Sequence, residues 1–159
     1  MATLHLMVGL PGSGKTTLAR QLETTHSALR LTVDEWHVRL FGSDVHDDSD
    51  EATFSEHDAR HQAIESLLRE VAARVLVLGV DVILDFGFWS RSERDELRAW
   101  ARELRADSKV HFTDASEELL LERIRARNAE LPPGTFHIPE AKLREWIRSF
   151  EPPSADELD

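Results

Sequence analysis

The sequence predicts an α/β fold of three layers, in which a parallel sheet of about four to five strands lies between two layers of helices. Short apolar runs typical of buried strands alternate with helical periodicities along the chain. A glycine-rich loop joins the first apolar run to the first helical pattern, as in many proteins with a parallel sheet. The 159 residues, 41% of them hydrophobic, contain no repeat or linker. We therefore expect one domain over residues 1–150 and a polar C-terminal tail over residues 151–159.

The first half of the chain contains two predicted strands, each followed by a helix. A buried strand over Thr3–Val8 leads into a helix that begins with "GKTTLARQLE". A second strand over Leu29–Val33 stops at Asp34, before a helix that begins with "EWHVRL". The polar segment over 42–58 is expected to be an exposed loop running into a further helix. That helix is predicted by apolar residues at helical spacing, namely Ile64, Leu67, Leu68, Val71, Ala72 and Val75.

The second half of the chain repeats the alternation of strands and helices. A third strand is predicted over Val80–Gly87, and "KVHF" is a short fourth strand. The expected helix caps are Ser92 with Asp95, then Asp114 with Glu117, and finally Pro139. The apolar stripe of the last helix consists of Leu143, Trp146, Ile147 and Phe150.

Charge and composition exclude several classes of protein. Lysine and arginine number 19 against 30 aspartate and glutamate residues, which gives a formal net charge of −11. Such a surface repels a long polyanion, so nucleic acid is a disfavoured partner, although a local basic groove stays open. The absence of cysteine rules out disulfides and thiolate metal sites. Because no membrane span and no signal peptide are recognisable, we expect a cytoplasmic protein without a membrane partner.

The stretch "GLPGSGKTT" predicts a phosphate-binding loop. It satisfies the pattern G-x-x-x-x-G-K-[ST], with a predicted strand before it and a helix after it. Its glycines let backbone N–H groups and a helix N-terminus approach phosphate. Lys15 can reach the β- and γ-phosphates, and Thr16 can ligate Mg²⁺. The alternative, a glycine-rich turn with a solvated lysine, is disfavoured by this context. The residues expected to bind nucleotide are Gly9, Pro11, Gly12, Ser13, Gly14, Lys15, Thr16 and Thr17.

Two acids near strand ends and a pair of arginines are candidates for the chemistry. Asp85 fits the acid that holds Mg²⁺, usually through water, and its alternative role is a turn aspartate. Asp34 is either a general base for an attacking hydroxyl or a helix N-cap, and spacing alone does not separate the two. Arg123 and Arg127 lie one turn apart on one helix face. They can clamp the transferring phosphoryl group or form a solvated basic face.

Three further groups of residues have weaker patterns. The aromatic residues near the two acids can line an apolar pocket, although core packing is the default: Trp36, Phe86, Phe88 and Trp89. Arg91 and Arg94 are expected to be helix-surface charges rather than contacts to an anionic acceptor. No metal site is predicted at the histidines of the acidic segment, because they lack tight ligand spacing on an assured helix face: His46, His57 and His61.

Four segments together, "GLPGSGKTT", "TVDEW", "VILDFG" and "LLERIRARN", resemble the small P-loop kinase family that contains the 5′-hydroxyl polynucleotide kinases. The zeta-toxin and chloramphenicol phosphotransferase kinases are more distant relatives. The resemblance covers about residues 3–150, and the last three segments carry it, because all P-loop proteins share the first. It implies a P-loop NTPase fold and a kinase that uses ATP and Mg²⁺.

The resemblance also implies residue roles. These are general base for Asp34, phosphate and Mg²⁺ binding for Lys15 and Thr16, and phosphate contact for Arg123 and Arg127 from a lid near residues 123–138. Two departures from the phage polynucleotide kinase concern the acceptor. His37 stands where that enzyme has an arginine, and "DFGFW" replaces a polar sequence after the third strand. With the acidic net charge, they favour a smaller, partly apolar alcohol over a polynucleotide.

The leading hypothesis is therefore transfer of the γ-phosphoryl group of ATP to a hydroxyl of a small-molecule or nucleoside-like acceptor. The alternatives are a 5′-hydroxyl polynucleotide kinase, a nucleoside monophosphate kinase, and a regulatory NTPase without an acceptor. The sequence lacks the N-K-x-D motif that reads guanine, which weakens a GTPase-like switch. A nucleoside monophosphate kinase would need no general base, because its acceptor is already an anion.

Overall fold

A computed structural model describes residues 1–158 of the chain. Within these residues the sheet has four strands, all parallel, in the spatial order β2-β3-β1-β4. The strands are β1 over Thr3–Val8, β2 over Leu29–Thr32, β3 over Val82–Gly87 and β4 over Asp107–Phe112. The α/β class with a parallel sheet is confirmed, and the sheet has four strands where about four to five were expected.

Six α-helices and one short 3-10 helix complete this part of the chain. They are α1 over Lys15–His26, α2 over Val33–Phe41, α3 over Glu51–Val77, α4 over Arg91–Glu103, α5 over Glu117–Glu130, α6 over Glu140–Ser149 and the 3-10 helix over Ala155–Glu157. Helix α3 begins inside the segment expected to be a loop, because the Asp50 carboxylate accepts a hydrogen bond from the Thr53 N–H at 2.8 Å. Among residues 1–158, none of the helices has both the length and the apolar character that a membrane span requires.

Helices cover both faces of the sheet. On one face, Leu4, Leu6 and Val8 of β1 belong to the main core, together with apolar side chains of α3 and α4. On the other face, Met7 of β1 packs against Ala19 of α1. This alternation is that of a strand buried on both sides, and it produces the predicted three layers. Helices α5 and α6 form a further apolar cluster with the loop that follows β1.

Two predicted helix caps are displaced by two residues. Ser90, not Ser92, caps α4, because its hydroxyl accepts a hydrogen bond at 3.2 Å from the N–H three residues later. Ser116, not Asp114, caps α5 with the same geometry and the same distance. In both cases the serine directly before the helix has extended backbone, from which a hydroxyl reaches the first turn.

Strand β2 ends one residue earlier than predicted. Thr32 is both its last residue and the N-cap of α2, which begins at Val33. Asp34 therefore lies in the first turn of α2 and is not its N-cap. A carboxylate in the first turn is stabilised by the positive end of the helix dipole.

The polar tail is joined to the rest of the fold by a buried ion pair. Arg94 of α4 donates from Nε to Glu157 Oε1 at 2.8 Å, and both side chains are fully buried. Arg94 Nη1 also donates to the carbonyl of Phe88 at 2.9 Å. Arg94 is therefore not the surface charge that the sequence predicted, whereas Arg91 is partly exposed and forms ion pairs with Asp156 at 2.8 Å and with Glu157 at 3.4 Å.

The carboxyl ends of the four strands form one edge, and the loop after β1 crosses it. The Gly9 N–H donates to the carbonyl of Gly87, the last residue of β3, at 3.1 Å, and the Thr113 N–H after β4 donates to the carbonyl of Val8 at 2.9 Å. Parallel α/β sheets bind their ligands at this edge.

Candidate active site

The glycine-rich loop is held tightly by the ends of neighbouring strands. The hydroxyls of Ser13 and Thr113 form a hydrogen bond of 2.8 Å. A Cβ on Gly9 would lie 2.5 Å from Thr113 Oγ1 and 2.6 Å from Ser13 Oγ, so only glycine fits there. Gly14 is the N-cap of α1 with φ +95°, a conformation that other residues rarely adopt. Steric crowding at Gly9 and the positive φ at Gly14 thus explain why the motif has glycine at these two positions.

The N-terminus of α1 is open to an anion. No side chain within residues 1–158 caps it, so its first N–H groups and the positive end of its dipole can bind phosphate. Lys15 is half-buried there, and its Nζ donates to the carbonyl of Leu10 at 3.3 Å. Burial lowers the pKa of Lys15, against the attraction of the Asp85 and Asp34 carboxylates. The ammonium thus lies between the loop and two carboxylates, where a phosphate can meet it.

Asp85 is buried near the end of β3 and uses one oxygen for its hydrogen bonds. Its Oδ2 accepts from Thr16 Oγ1 at 2.7 Å and from Thr32 Oγ1 at 3.0 Å. Its Oδ1 is buried and has no hydrogen-bond partner among the described residues. An unpaired buried carboxylate oxygen is unfavourable, and Mg²⁺ or its bound water would satisfy it. A hydroxyl and a carboxylate are also the oxygen ligands that Mg²⁺ prefers, so these residues fit the predicted site.

Thr32 is a residue of this site that the sequence patterns did not reveal. Its hydroxyl accepts a hydrogen bond from Arg30 Nη1 at 2.6 Å and donates to Asp85. Arg30 is itself held by Glu23 and Glu35, each at 3.0 Å. This chain of hydrogen bonds fixes the Asp85 carboxylate against β2. The available signal was a hydroxyl residue at the end of the strand that precedes Asp34.

Two cavities meet beside the loop. One, of about 510 Å³, runs along the loop and the start of α1 to α5. The other, of about 230 Å³, lies between α3, the end of β3 and the segment before α6. The residues that line both are Pro11, Lys15, Thr16 and Asp34. We call the first the loop cavity and the second the acidic cavity.

Asp34 lies at the boundary of the two cavities. One third of its side chain, 34%, is exposed, so a bound molecule can reach the carboxylate. Its Oδ1 lies 3.7 Å from His61 Nε2, which is longer than a hydrogen bond. The carboxylate is thus accessible from both sides, as a proton acceptor between two substrates would have to be.

Arg123 and Arg127 both reach the loop cavity from α5. Arg123 Nη1 donates to the carbonyl of Gly12 at 2.8 Å. Arg127 Nη2 donates to the carbonyl of Phe136 at 3.4 Å, while its buried Nε has no partner within residues 1–158. Burial lowers the pKa of Arg127. Arg125 instead pairs with Glu140 of α6. Helix α5 therefore places Arg123 and Arg127 in the loop cavity, as their spacing of one helical turn predicted.

The acidic cavity combines aromatic walls with carboxylates. Its aromatic residues are Phe86, Phe88, Trp89, Phe136 and Trp146, and its acids are Asp34, Asp58, Glu65, Asp85 and Glu93. Within residues 1–158, Lys15 is the one lysine or arginine that lines it. Burial raises the pKa of Glu65 to about 7, and the nearby Glu93 and Asp34 add to this rise. Trp36, by contrast, is exposed and lies outside this wall.

Three histidines cluster beside this cavity, although no metal site was predicted there. His57 and His61 lie one turn apart on α3 and meet His37 of α2, with ring centroids 4.3 and 5.4 Å from that of His37. His46 lies apart, with its ring centroid 6.0 Å from that of His137. The sequence did not reveal this cluster because the start of α3 was expected to be a loop, which hid the helical spacing of two of the rings.

A family model covers nearly all of the chain. The AAA_33 model, described as an AAA domain, matches residues 4–153. No curated protein matches the sequence at a significant level.

Several solved structures share the fold. Kti12 of Chaetomium thermophilum, in complex with ADP-AlF3, is 24% identical over 95% of this chain and 81% of its own, with a TM-score of 0.68. A sugar kinase from Janibacter sp. HTCC2649 is 18% identical over 99% of this chain and 82% of its own, with a TM-score of 0.65. A chain of the Pnkp1/Rnl/Hen1 RNA repair complex is 22% identical over 93% of this chain, with a TM-score of 0.68. This chain spans 43% of that protein. At these identities the likeness shows the P-loop nucleotide-binding fold alone.

Proposed function

The chain belongs to the AAA domain family whose model it matches, and from this premise we propose that it is an ATP-dependent kinase for a hydroxyl of a small-molecule acceptor. The observation that carries the proposal is that two cavities meet at Lys15, Thr16 and Asp34. One cavity has the helix N-terminus and the cations that a nucleotide needs. The other offers an adjoining place for a second substrate. A P-loop protein that only hydrolysed ATP would not need this second cavity.

The loop cavity would bind ATP through groups already in position. The loop N–H groups and Lys15 would hold the β- and γ-phosphates. Thr16, and Asp85 through water, would hold Mg²⁺, which when bound would neutralise charge on the same phosphates. Arg123 and Arg127 approach from α5 and would stabilise the negative charge of the transferring phosphoryl group. Because both line the loop cavity, the lid predicted near residues 123–138 remains part of the proposal.

Asp34 would act as the general base. A carboxylate oxygen of Asp34 would accept the proton of the acceptor hydroxyl as the hydroxyl oxygen attacks the γ-phosphorus. The bond between the γ-phosphorus and the β–γ bridging oxygen would break, and ADP would leave. The boundary position of Asp34 supports this role, since the hydroxyl would enter from the acidic cavity and the phosphoryl group from the loop cavity.

The lining of the acidic cavity indicates the charge of the acceptor. Five carboxylates face it, and Lys15 is the one lysine or arginine among the described residues of its wall. A phosphorylated acceptor would meet repulsion there, whereas a neutral or amine-bearing alcohol would not. The aromatic walls would bury the apolar part of such a molecule. We therefore place neutral and cationic alcohols ahead of nucleoside monophosphates.

A 5′-hydroxyl polynucleotide kinase is the second candidate. It is favoured by the likeness to a chain of the RNA repair complex, although this chain spans less than half of that protein. It is opposed by the net charge of −11 and by the acids of the cavity wall.

Transfer of label from γ-labelled ATP tests the proposal. The purified protein with Mg²⁺ is incubated with sugars, amino alcohols, hydroxyl-bearing antibiotics, nucleosides, nucleoside monophosphates and 5′-hydroxyl oligonucleotides. We expect label on one class of neutral or cationic alcohol. Asp34→Asn is expected to lower this transfer about 100-fold or more, while Asp48→Asn, a matched exposed substitution, should leave it unchanged.

Other outcomes would contradict the proposal in different ways. Unchanged transfer by Asp34→Asn would show that Asp34 is not the general base and would favour an acceptor that is already an anion. Label found as free phosphate with every compound would favour a regulatory NTPase. Label on oligonucleotides alone would establish the second candidate.

A further inference from the structure

The histidine cluster brings three imidazoles to one point between α2 and α3. One ring nitrogen each of His37, His57 and His61 lies within 4.8 Å of the other two. His37 Nδ1 and His61 Nδ1 are 3.4 Å apart. Two nitrogens bound to one tetrahedral zinc, at about 2.0–2.1 Å from it, lie about 3.3–3.4 Å apart. This pair therefore already has the separation of two ligands of one ion.

Asp44 forms hydrogen bonds with two of the rings and so helps to orient them. His37 Nε2 donates to its oxygens at 2.9 and 3.0 Å, and His57 Nδ1 donates to Oδ1 at 2.6 Å. Because those nitrogens carry protons, the lone pairs are left on His37 Nδ1 and His57 Nε2. A carboxylate that accepts from the far nitrogen is the usual outer partner of a metal-bound imidazole.

Three carboxylates, Asp34, Asp44 and Glu65, lie next to the cluster. The Asp44 side chain is nearly buried, and its Oδ2 also accepts a hydrogen bond from Arg60 Nη1 at 3.2 Å. The His37 and His57 side chains are almost completely buried, which favours the neutral imidazoles that ligate metals. His61 Nε2 lies 3.7 Å from carboxylate oxygens of both Asp34 and Glu65, which flank the cluster on the side of the acidic cavity.

We propose that His37, His57 and His61 bind one divalent transition-metal ion of the zinc class, with Asp44 as the outer carboxylate. Two of the three rings, His57 and His61, line the acidic cavity. Three protein ligands and a fourth position open to a cavity make a zinc site that can take water or a substrate group. The ion would offset the carboxylates of the cavity wall. The proposal goes beyond phosphoryl transfer and does not depend on it.

A purely structural network of hydrogen bonds between α2 and α3 is the competing explanation, and it predicts no metal affinity. A second group with ligating atoms, His5, His26 and Asp81, provides an internal control. That group has only two imidazoles, of which His26 is exposed, and its carboxylate, Asp81, already accepts a hydrogen bond from the Thr3 N–H at 2.8 Å. We therefore expect no tight site in that group.

Titration of metal-depleted protein with Co²⁺ tests the site. Excess Mg²⁺ and the absence of nucleotide keep Co²⁺ away from the phosphate loop, and the visible d–d absorption reports coordination. We expect one equivalent of four-coordinate Co²⁺, displaced by Zn²⁺. His57→Gln and His61→Gln should each weaken binding about 100-fold or more, and Asp44→Asn about 10–100-fold.

The matched controls are His26→Gln and His46→Gln, which should bind Co²⁺ like the wild type. Circular dichroism and urea midpoints establish that each variant is folded. The proposal is overturned if wild-type protein shows no four-coordinate Co²⁺, if His61→Gln binds as tightly as the wild type, or if His26→Gln abolishes binding. X-ray absorption of the wild-type Co²⁺ protein needs no variant, and an oxygen-only ligand shell there would also overturn it.

Discussion

At the scale of single residues, Glu65 shows how a carboxylate responds to its surroundings. It lies on α3 in the wall of the acidic cavity, with 29% of its side chain exposed. Burial raises its pKa from 4.5 to about 7, and the charges of Glu93 and Asp34 add to the rise. The ionised form of Glu65 is therefore less favourable in the folded chain than in the unfolded chain.

This shift predicts a pH-dependent stability. Between pH 4.5 and about 7 the folded chain holds a proton on Glu65 that the unfolded chain has released, so stability falls as pH rises through this window. Glu65→Gln removes the titration. Relative to the wild type, its free energy of unfolding should be larger at pH 8 than at pH 5, by roughly 2 kcal/mol, so that the variant is relatively more stable at pH 8. Urea unfolding of both proteins at the two pH values measures the difference.

Glu70→Gln is the matched control, because Glu70 is exposed on the same helix and outside the acidic cavity. It reports the effect of removing one negative charge from α3. A Glu65→Gln effect that is the same at pH 5 and at pH 8 would contradict the prediction.

The sequence could predict some residues of the site but not others. Lys15, Thr16 and Asp85 are parts of local patterns, a loop motif and a strand end, and the fold brings them to one edge as expected. Thr32 and Asp44 could not be recognised, because each acts through partners from other elements. Thr32 belongs to the site because its hydroxyl donates to Asp85, and Asp44 is significant because it accepts hydrogen bonds from two histidines.

At the scale of elements, local signals located the centres of helices better than their ends. Ser90 and Ser92 are both possible caps for α4, and only the backbone conformation before the helix selects Ser90. Strand β1 was predicted with its observed bounds, because a continuous apolar run between a turn and a glycine loop has few alternatives. The early start of α3 depends on Asp50, which lies in a stretch too polar to show helical periodicity.

The C-terminal tail contributes a buried ion pair to the stability of the fold. The Arg94–Glu157 pair is fully buried, so Glu157→Gln leaves the guanidinium without its charge partner. We expect it to lower the free energy of unfolding by about 3 kcal/mol. Urea unfolding measures this loss, and hydrogen exchange of residues 151–158 should rise with it.

Asp156→Asn is the matched comparison for the tail, since Asp156 forms an exposed ion pair with Arg91, whereas Arg91 itself also lies 3.4 Å from Glu157. Exposed pairs contribute little to stability because solvent screens them. Equal losses from Glu157→Gln and Asp156→Asn would mean that the tail is held by something other than the buried pair.

At the scale of the whole molecule, the order of the strands decides where chemistry can occur. Strand β1 lies between β3 and β4, and its loop therefore crosses the ends of both. The alternation of strands and helices predicted a parallel sheet with its ligands at this edge. It could not predict the strand order or the acidic cavity, because both depend on contacts between segments far apart in the chain.

The charge of the whole chain bears on the acceptor, because it acts at longer range than any single contact. A net charge of −11 and an acidic cavity beside Asp34 both oppose the approach of a phosphate backbone. A local basic surface could overcome this only by neutralising several phosphates, and such a surface makes binding strongly dependent on salt.

We therefore expect a fluorescently labelled 5′-hydroxyl oligonucleotide to show no saturable binding at about 0.15 M salt, with or without a non-hydrolysable ATP analogue. Fluorescence anisotropy at this ionic strength and at a lower one measures it, and a labelled nucleotide analogue shows that the protein is active in binding. A submicromolar Kd that weakens steeply as salt increases would contradict the prediction. It would reveal a basic groove that neutralises the backbone, and the acceptor would then be a polynucleotide end in spite of the acidic cavity.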